Sequence, residues 1–305
     1  MYYNRNLIGA DKSAVTPRDA SGIFDLRSQE KHQRAKSWPG STDSYLIYTI
    51  NYSGTPFDVR QSDASYISID WGDGSSEVSN ATSVTHTYSA NGIYKIKINT
   101  TLGNTFHRPR FDAVSSASRN QLIKVETGRY LLGSLDSSFR GCTNLEEIIA
   151  PYTSFSSVSN FRRTFRDCAS LQAFPFVETK NISNFENFCW GCTSLTTFPK
   201  LDFTGAAKFN SAWYGCTSLA HFPPNMFDKT GDFTGNTHFG NAWYYCALTA
   251  QSIENILVSL DTNGDTSLSL GISGGNNAAY STWSQAAKDA LTSLQGKGWT
   301  VSYNS

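Results

Sequence analysis

The 305-residue sequence is short of charge. Asp, Glu, Lys and Arg make up 16% of it, against about 25% in an average soluble domain. The 25 basic and 25 acidic side chains also cancel. The basic bias that binding a phosphate backbone requires is absent, which argues against a nucleic-acid partner. No apolar run approaches the ~18 residues that would span a bilayer, so no membrane insertion is expected. The opening MYYNRNLIGADKSAVTPRDASG lacks an apolar core of about 7–15 residues, so no ordinary signal peptide is expected and any export would use another route. What replaces charge is Ser, Thr and Asn, together 91 residues, with aromatics at 13%. That aromatic content is too high for a disordered chain.

Catalytic signatures are equally scarce. The five histidines, His32, His86, His107, His221 and His238, are scattered and form no metal spacing. There is no G-x-S-x-G, phosphate-binding loop or dinucleotide fingerprint. Asp261-Thr-Asn263-Gly-Asp265 begins like a calcium loop, but Thr266 and Ile272 stand where Gly and Glu are needed, so a turn is expected. Glu146 and Glu147 would point to opposite faces of a strand and make a poor acid/base pair. The expectation is a non-enzymatic protein with no cofactor and no metal.

Six cysteines are present, Cys142, Cys168, Cys189, Cys192, Cys216 and Cys246. With Cys189 set aside they recur every 24 to 30 residues, which is a repeat period and not a disulfide framework. Aligned on them, position −7 holds Leu135, Phe161, Phe185, Phe209 and Phe239, and position −3 holds Phe139, Phe165, Cys189, Trp213 and Trp243. Position +3 holds Leu145, Leu171, Leu195 and Leu219, and position +6 holds Ile148, Phe174, Phe198 and Phe222. Pro175, Pro199 and Pro223 follow. The spacing −7, −3, 0 predicts one face of a short helix, then a short extended segment ended by proline. Cys189-Trp190-Gly191-Cys192 reads as C-x-x-C, but both thiols fall in repeat columns, which predicts buried, inert cysteines.

The phrases SNFRRTFRDCASLQAFP, SNFENFCWGCTSLTTFP and KFNSAWYGCTSLAHFP resemble the BspA-like leucine-rich repeats of bacterial surface proteins. The resemblance covers residues 120–250, with Leu122 and Val125 in a degenerate first unit, and implies an α/β leucine-rich-repeat solenoid. Residues 251–305, with SIENILVSL and then a helix and a strand, would be its C-terminal capping element. Upstream, YLIYTI, YISIDWGDG and IYKIKI alternate with the period of strands. Asp70, Trp71, Gly72, Asp73, Gly74, His86, Tyr88, Gly92 and Tyr94 resemble the polycystic kidney disease (PKD) domain. That implies an all-β immunoglobulin-like sandwich over 44–101, with Trp71 in its core and Tyr88 anchoring a strand turn. A linker, 102–119, would join the two parts.

Residues 1–43 have no sustained periodicity. Gly22, Ile23, Phe24, Leu26 and then Trp38 and Pro39 resemble the start of tail and structural proteins of marine bacteriophages, which implies an extended N-terminal arm that anchors the chain to other virion proteins. The whole is thus expected to be multidomain.

Position −2 holds Arg140, Arg166, Trp190, Tyr214 and Tyr244. On a helix turning 100° per residue it lies away from the buried face, so stacked units would align an exposed ladder of two Arg and three aromatics. Such a stripe marks a binding surface, and aromatic faces suit the apolar faces of sugar rings. Tyr245 and His221 would flank it. The competing reading is that other helices or a partner subunit cover the ladder. Together these features lead to the expectation of a phage virion structural protein, a tail or tail-fibre adhesin whose repeats bind a host-surface glycan or protein. It would be a homo-oligomer, with a trimer as the class expectation. A capsid or neck decoration protein without a receptor role is the alternative, and a bacterial surface adhesin the second.

Overall fold

The computed structural model describes residues 45–64, 66–100, 108–128, 133–230 and 238–305. The strand β1 (Tyr45–Tyr52) reads YLIYTINY and buries Leu46, Tyr48, Ile50 and Tyr52 at alternate positions, as period two requires. Thr49 is buried as well, because β1 has neighbours on both sides. Antiparallel β6 (Gly92–Thr100) pairs along it from Tyr45↔Asn99 to Tyr52↔Gly92. Antiparallel β7 (Leu122–Thr127) pairs from Leu46↔Thr127 to Ile50↔Leu122, with a register shift between Thr49 and Ile50. Strands β3 (Ile67–Asp70) and β4 (Ser76–Ser79) extend the sheet beyond β6, and β8 (Glu147–Ile149) lies parallel to β7. The order is β4-β3-β6-β1-β7-β8. Strands β2 (Phe57–Arg60) and β5 (Ser83–His86) pair separately.

This corrects the expected fold class. The described residues form a mixed α/β structure of ten strands and three helices. There is no self-contained immunoglobulin-like sandwich: the sheet that begins in 44–101 takes β7 and β8 from the region expected to be repeats. Nor is there an α/β leucine-rich-repeat solenoid. Among the described residues no unit between Leu135 and Cys246 contains an α-helix, and beyond β8 the extended segments of successive units meet at isolated bridges, Asn160↔Asn184, Ala173↔Thr197, Asn184↔Lys208 and Thr197↔His221.

The expected helices fail for a backbone reason. Position −5 has positive φ in every unit: Ser137 60°, Arg163 55°, Asn187 53°, Ser211 53° and Asn241 56°. So does position −1: Gly141 77°, Asp167 61°, Gly191 73°, Gly215 70° and Tyr245 58°. Right-handed helix excludes φ > 0. Instead the −4 N–H donates to the −7 carbonyl, as from Ser138 to Leu135 and Thr164 to Phe161, and the Cys N–H donates to the −3 carbonyl, as from Cys168 to Phe165. Each unit is two four-residue turns in tandem with a type II signature. Their period of four mimics i, i+4 spacing while making no helix.

The turns of successive units are tied by backbone hydrogen bonds at alternate residues. Phe161 N donates to Asn184 O at 2.9 Å, Arg163 N to Glu186 O at 2.9 Å, Phe165 N to Phe188 O at 3.0 Å and Asp167 N to Trp190 O at 2.7 Å. Aromatics therefore stack column by column. Phe139 lies 5.5 Å from Phe165, Phe185 5.4 Å from Phe209, Phe198 5.6 Å from Phe222 and Trp213 5.0 Å from Trp243, all within 10° of parallel. Each such pair adds about 0.5–1.5 kcal/mol beyond area burial, against about 1–2 kcal/mol for a non-glycine residue at positive φ.

The two ends of the stack are closed differently. At the start, Phe111 stacks on Phe139 at 5.7 Å and meets Tyr48 edge-on at 5.3 Å, joining the stack to β1. The short helix α1 (Ser116–Arg119) precedes β7. At the end, helix α2 (Ala250–Asn263) buries Ile253, Ile256, Leu257 and Leu260. Its Ser252, Asn255, Ser259 and Asn263 bond the backbone of Ala220, Phe222, Phe227 and Thr230. Strand β9 (Ser269–Ile272) supplies the carbonyl of Gly271 to Trp243 N at 2.9 Å, helix α3 (Gln285–Gly296) packs on α2, and β10 (Thr300–Tyr303) pairs parallel to β9.

Candidate functional site

The −2 column is set by the turns. It occupies the second position of the second turn in each unit, and its carbonyl accepts the −1 N–H of the preceding unit: Arg166 O from Gly141, Trp190 O from Asp167, Tyr214 O from Gly191 and Tyr244 O from Gly215, all at 2.7–2.8 Å. The side chains are thereby brought into line. The Arg166 guanidinium carbon lies 4.6 Å above the Trp190 ring. Trp190 lies 4.4 Å from Tyr214, and Tyr214 6.0 Å from Tyr244 with the rings 8° from parallel. Arg140, Arg166, Trp190, Tyr214 and Tyr244 are all half-buried, each shielded by its neighbours along the column.

Tyr245 joins the column. It is 46% exposed, stands 4.9 Å from Tyr244 and 5.8 Å from Tyr214, and packs against Gly274. His221 does not. It lies at +5, on the bridge Thr197↔His221, beside a shallow hollow lined by Phe198, Phe222, Pro223 and Gln251.

A polar column occupies the same turn position four residues upstream. Arg162 sits between Asp136 at 3.6 Å and Glu186 at 3.5 Å, and Asn210 follows in the sequence. This column is absent from the expected site residues, although aligning on the cysteines places it at −6. Arg119 is absent from them as well. Its guanidinium lies 3.0 Å from where a Cβ on Gly141 would stand, next to Arg140. It occupies the cysteine position of the degenerate first unit that holds Leu122 and Val125 at +3 and +6, so stacking the units brings it beside Gly141.

The cysteines are all free and fully buried. Four of the thiols reach into the preceding unit, Cys168 to Phe139 O, Cys192 to Phe165 O, Cys216 to Cys189 O and Cys246 to Trp213 O, all at 3.1 Å. Burial pushes the Cys142, Cys168, Cys189, Cys216 and Cys246 thiols up, away from the reactive thiolate. Among the described residues no group of three His, Cys, Asp or Glu is placed to hold a metal. Asp261 and Asn263 lie in the last turn of α2, where Lys297 Nζ bonds Asp261 at 2.7 Å and Gly264 at φ 90° closes the helix.

In the β3–β4 turn Asp73 accepts from Ser75 at 2.9 and 2.6 Å and faces His86 Nε2 at 2.8 Å, and His86 stacks on buried Trp71 at 4.6 Å. The Tyr88 hydroxyl donates to Trp71 O at 2.9 Å. These contacts close the turn. Ile23, Phe24, Leu26, Trp38 and Pro39, the expected anchoring residues, lie outside the described residues.

Compared with protein-family models, with curated proteins and with solved structures, the chain matches none of them.

Proposed function

We propose that this protein is a non-enzymatic virion adhesin of a bacteriophage, carried on the tail or a tail fibre by residues 1–43 and binding the host surface through the −2 column. The observation that carries the reading is the register of that column. Arg166, Trp190, Tyr214 and Tyr244 stand in one stacked row with Tyr245 beside it. Stacked in this way, the row offers ring edges, hydroxyls and guanidinium groups in line, which suits an extended ligand with apolar and hydroxyl edges such as a sugar chain. The resemblance of residues 22–39 to phage tail proteins supports the mounting. Repeated attachment points along a virion favour a homo-oligomer, with a trimer as the class expectation.

The half-burial of the column favours one competing reading, a capsid or neck decoration protein in which the row is a subunit contact. The virion chain that contacts Phe24 and Trp38 separates the two.

The test is the double variant Trp190→Ala/Tyr214→Ala. Both side chains are half-exposed, so far-UV circular dichroism and cooperative melting are expected to persist. Binding to host cells should fall at least about ten-fold, since buried aromatic anchors are worth about 2 kcal/mol or more each at an interface. Undiminished binding by the folded variant removes the column from the adhesive role.

A further inference from the structure

The row is not uniform from end to end. At its start stand three guanidinium groups: Arg119 against Gly141, Arg140 in the next rung and Arg166 on the face of Trp190. At its end stand only rings, Tyr214, Tyr244 and Tyr245. The acids nearby are largely engaged. Asp136 and Glu186 pair with Arg162, and Asp167 with Arg166 at 3.3 Å. Among the described residues no carboxylate lies within ion-pairing distance of Arg119 or Arg140, and both residues are half-buried. The net charge of the chain is zero, so this concentration of positive charge is local.

We infer that the ligand of this face is an acidic polysaccharide, a linear chain of uronic acid sugars that runs along the edges of Trp190, Tyr214 and Tyr244 and whose carboxylates meet Arg119, Arg140 and Arg166. The inference rests on the adhesive reading above and adds the charge of the ligand. Charge complementarity carries it. A guanidinium presents a planar fork of donors that matches a carboxylate two bonds at a time. Arg166 is held flat on the Trp190 indole, with its Nε turned to Asp167. Arg119 and Arg140 have no carboxylate partner of their own to lose.

The test compares two hexasaccharides with the same β-1,4 backbone, glucuronohexaose and cellohexaose, which differ only in carboxylate against hydroxymethyl. Titrated calorimetrically into the full-length protein at low salt, the acidic oligomer is expected to bind about ten-fold more tightly. The preference should vanish near 1 M salt, where the screening length is about 3 Å. Arg140→Gln/Arg166→Gln should abolish the preference. Trp190→Ala should weaken both ligands alike. Equal affinity for the two oligomers, or a preference that survives the arginine double variant, overturns the acidic ligand and leaves a neutral-glycan adhesin standing. Binding of neither oligomer also overturns it, while the adsorption assay on Trp190→Ala/Tyr214→Ala decides the adhesive role separately.

Discussion

At the scale of single residues, the C-x-x-C pair has a packing explanation. Position −4 is small in four units, Ser138, Thr164, Ala212 and Ala242, and large only as Phe188. That is the unit in which −3 shrinks to Cys189. Phe188 is fully buried and stacks on Phe161 at 5.2 Å, occupying space that an aromatic at −3 fills elsewhere. Phe188→Ala is expected to cost about 3–5 kcal/mol through the cavity it leaves, and Cys189→Phe about 1–3 kcal/mol through overpacking. The double variant restores the small–large order of the neighbouring units, and urea melts should show its cost falling below the sum of the singles by about 1 kcal/mol or more. Additive costs would refute the compensation.

Asp73 is the other residue with a measurable signature. Hydrogen bonds from Ser75, reinforced by His86, hold its carboxyl down at about 2, from an ordinary value of 3.8. The unfolded chain therefore binds this proton more readily than the folded one. The stabilisation is fully present above pH 3.8 and is lost as pH falls toward 2. Asp73→Asn should flatten that part of a stability–pH profile while leaving its shape above pH 5 unchanged. An acid limb identical to wild type would show that Asp73 does not shape it.

At the scale of elements, the units are tandem turns whose register is kept by side chains where backbone pairing runs out. In the four units of Cys168, Cys192, Cys216 and Cys246 the thiol bonds the −3 carbonyl of the unit before it. After the last unit no cysteine follows, and the buried amide of Asn277 takes that place. Its Nδ2 donates to Trp243 O at 2.9 Å and to Ile272 O at 3.0 Å, while its Oδ1 accepts from Leu248 N at 2.9 Å. Asn277→Ala leaves all three backbone groups without this partner, at an expected cost of about 2–4 kcal/mol. Hydrogen exchange should show the loss concentrated in β9 and residues 243–248. A uniform loss, or none, would mean that Asn277 is not what closes the stack.

At the scale of the whole molecule, the six-stranded sheet joins what the sequence divides. Leu122 and Val125 of β7 are buried, and β7 is hydrogen-bonded to β1 on one side and β8 on the other. Removing residues 1–119 would expose that apolar edge, a template for association. A chain of residues 120–305 is therefore expected to aggregate on size-exclusion chromatography, whereas 45–305 should remain soluble and melt cooperatively. A monomeric, cooperatively melting 120–305 would show that β1 is dispensable.

The repeat was legible in the sequence because each column is a demand for a residue type. Buried positions need Phe, Leu or Cys every 24 to 30 residues, and composition records burial directly. The alternation in YLIYTINY exposed β1 for the same reason, and alignment alone brought Arg166, Trp190, Tyr214 and Tyr244 into one row. The conformation that delivers those columns was not legible. A spacing of four suits a helix and a pair of turns equally, and the residues at −5 and −1 include Ser, Arg, Asp and Tyr, which do not announce positive φ as glycine does. That choice is made by the neighbouring unit, whose carbonyls accept the N–H groups that a helix would have turned inward. The partners of β1 were hidden similarly, since alternation reports which face of a strand is buried and not which strand lies beside it. The approach of Arg119 to Gly141 was half legible, since the alignment puts Arg119 in the cysteine column of the first unit and only packing lays its guanidinium against Gly141. It depends on contacts between segments distant in sequence, and only the packed chain brings those together.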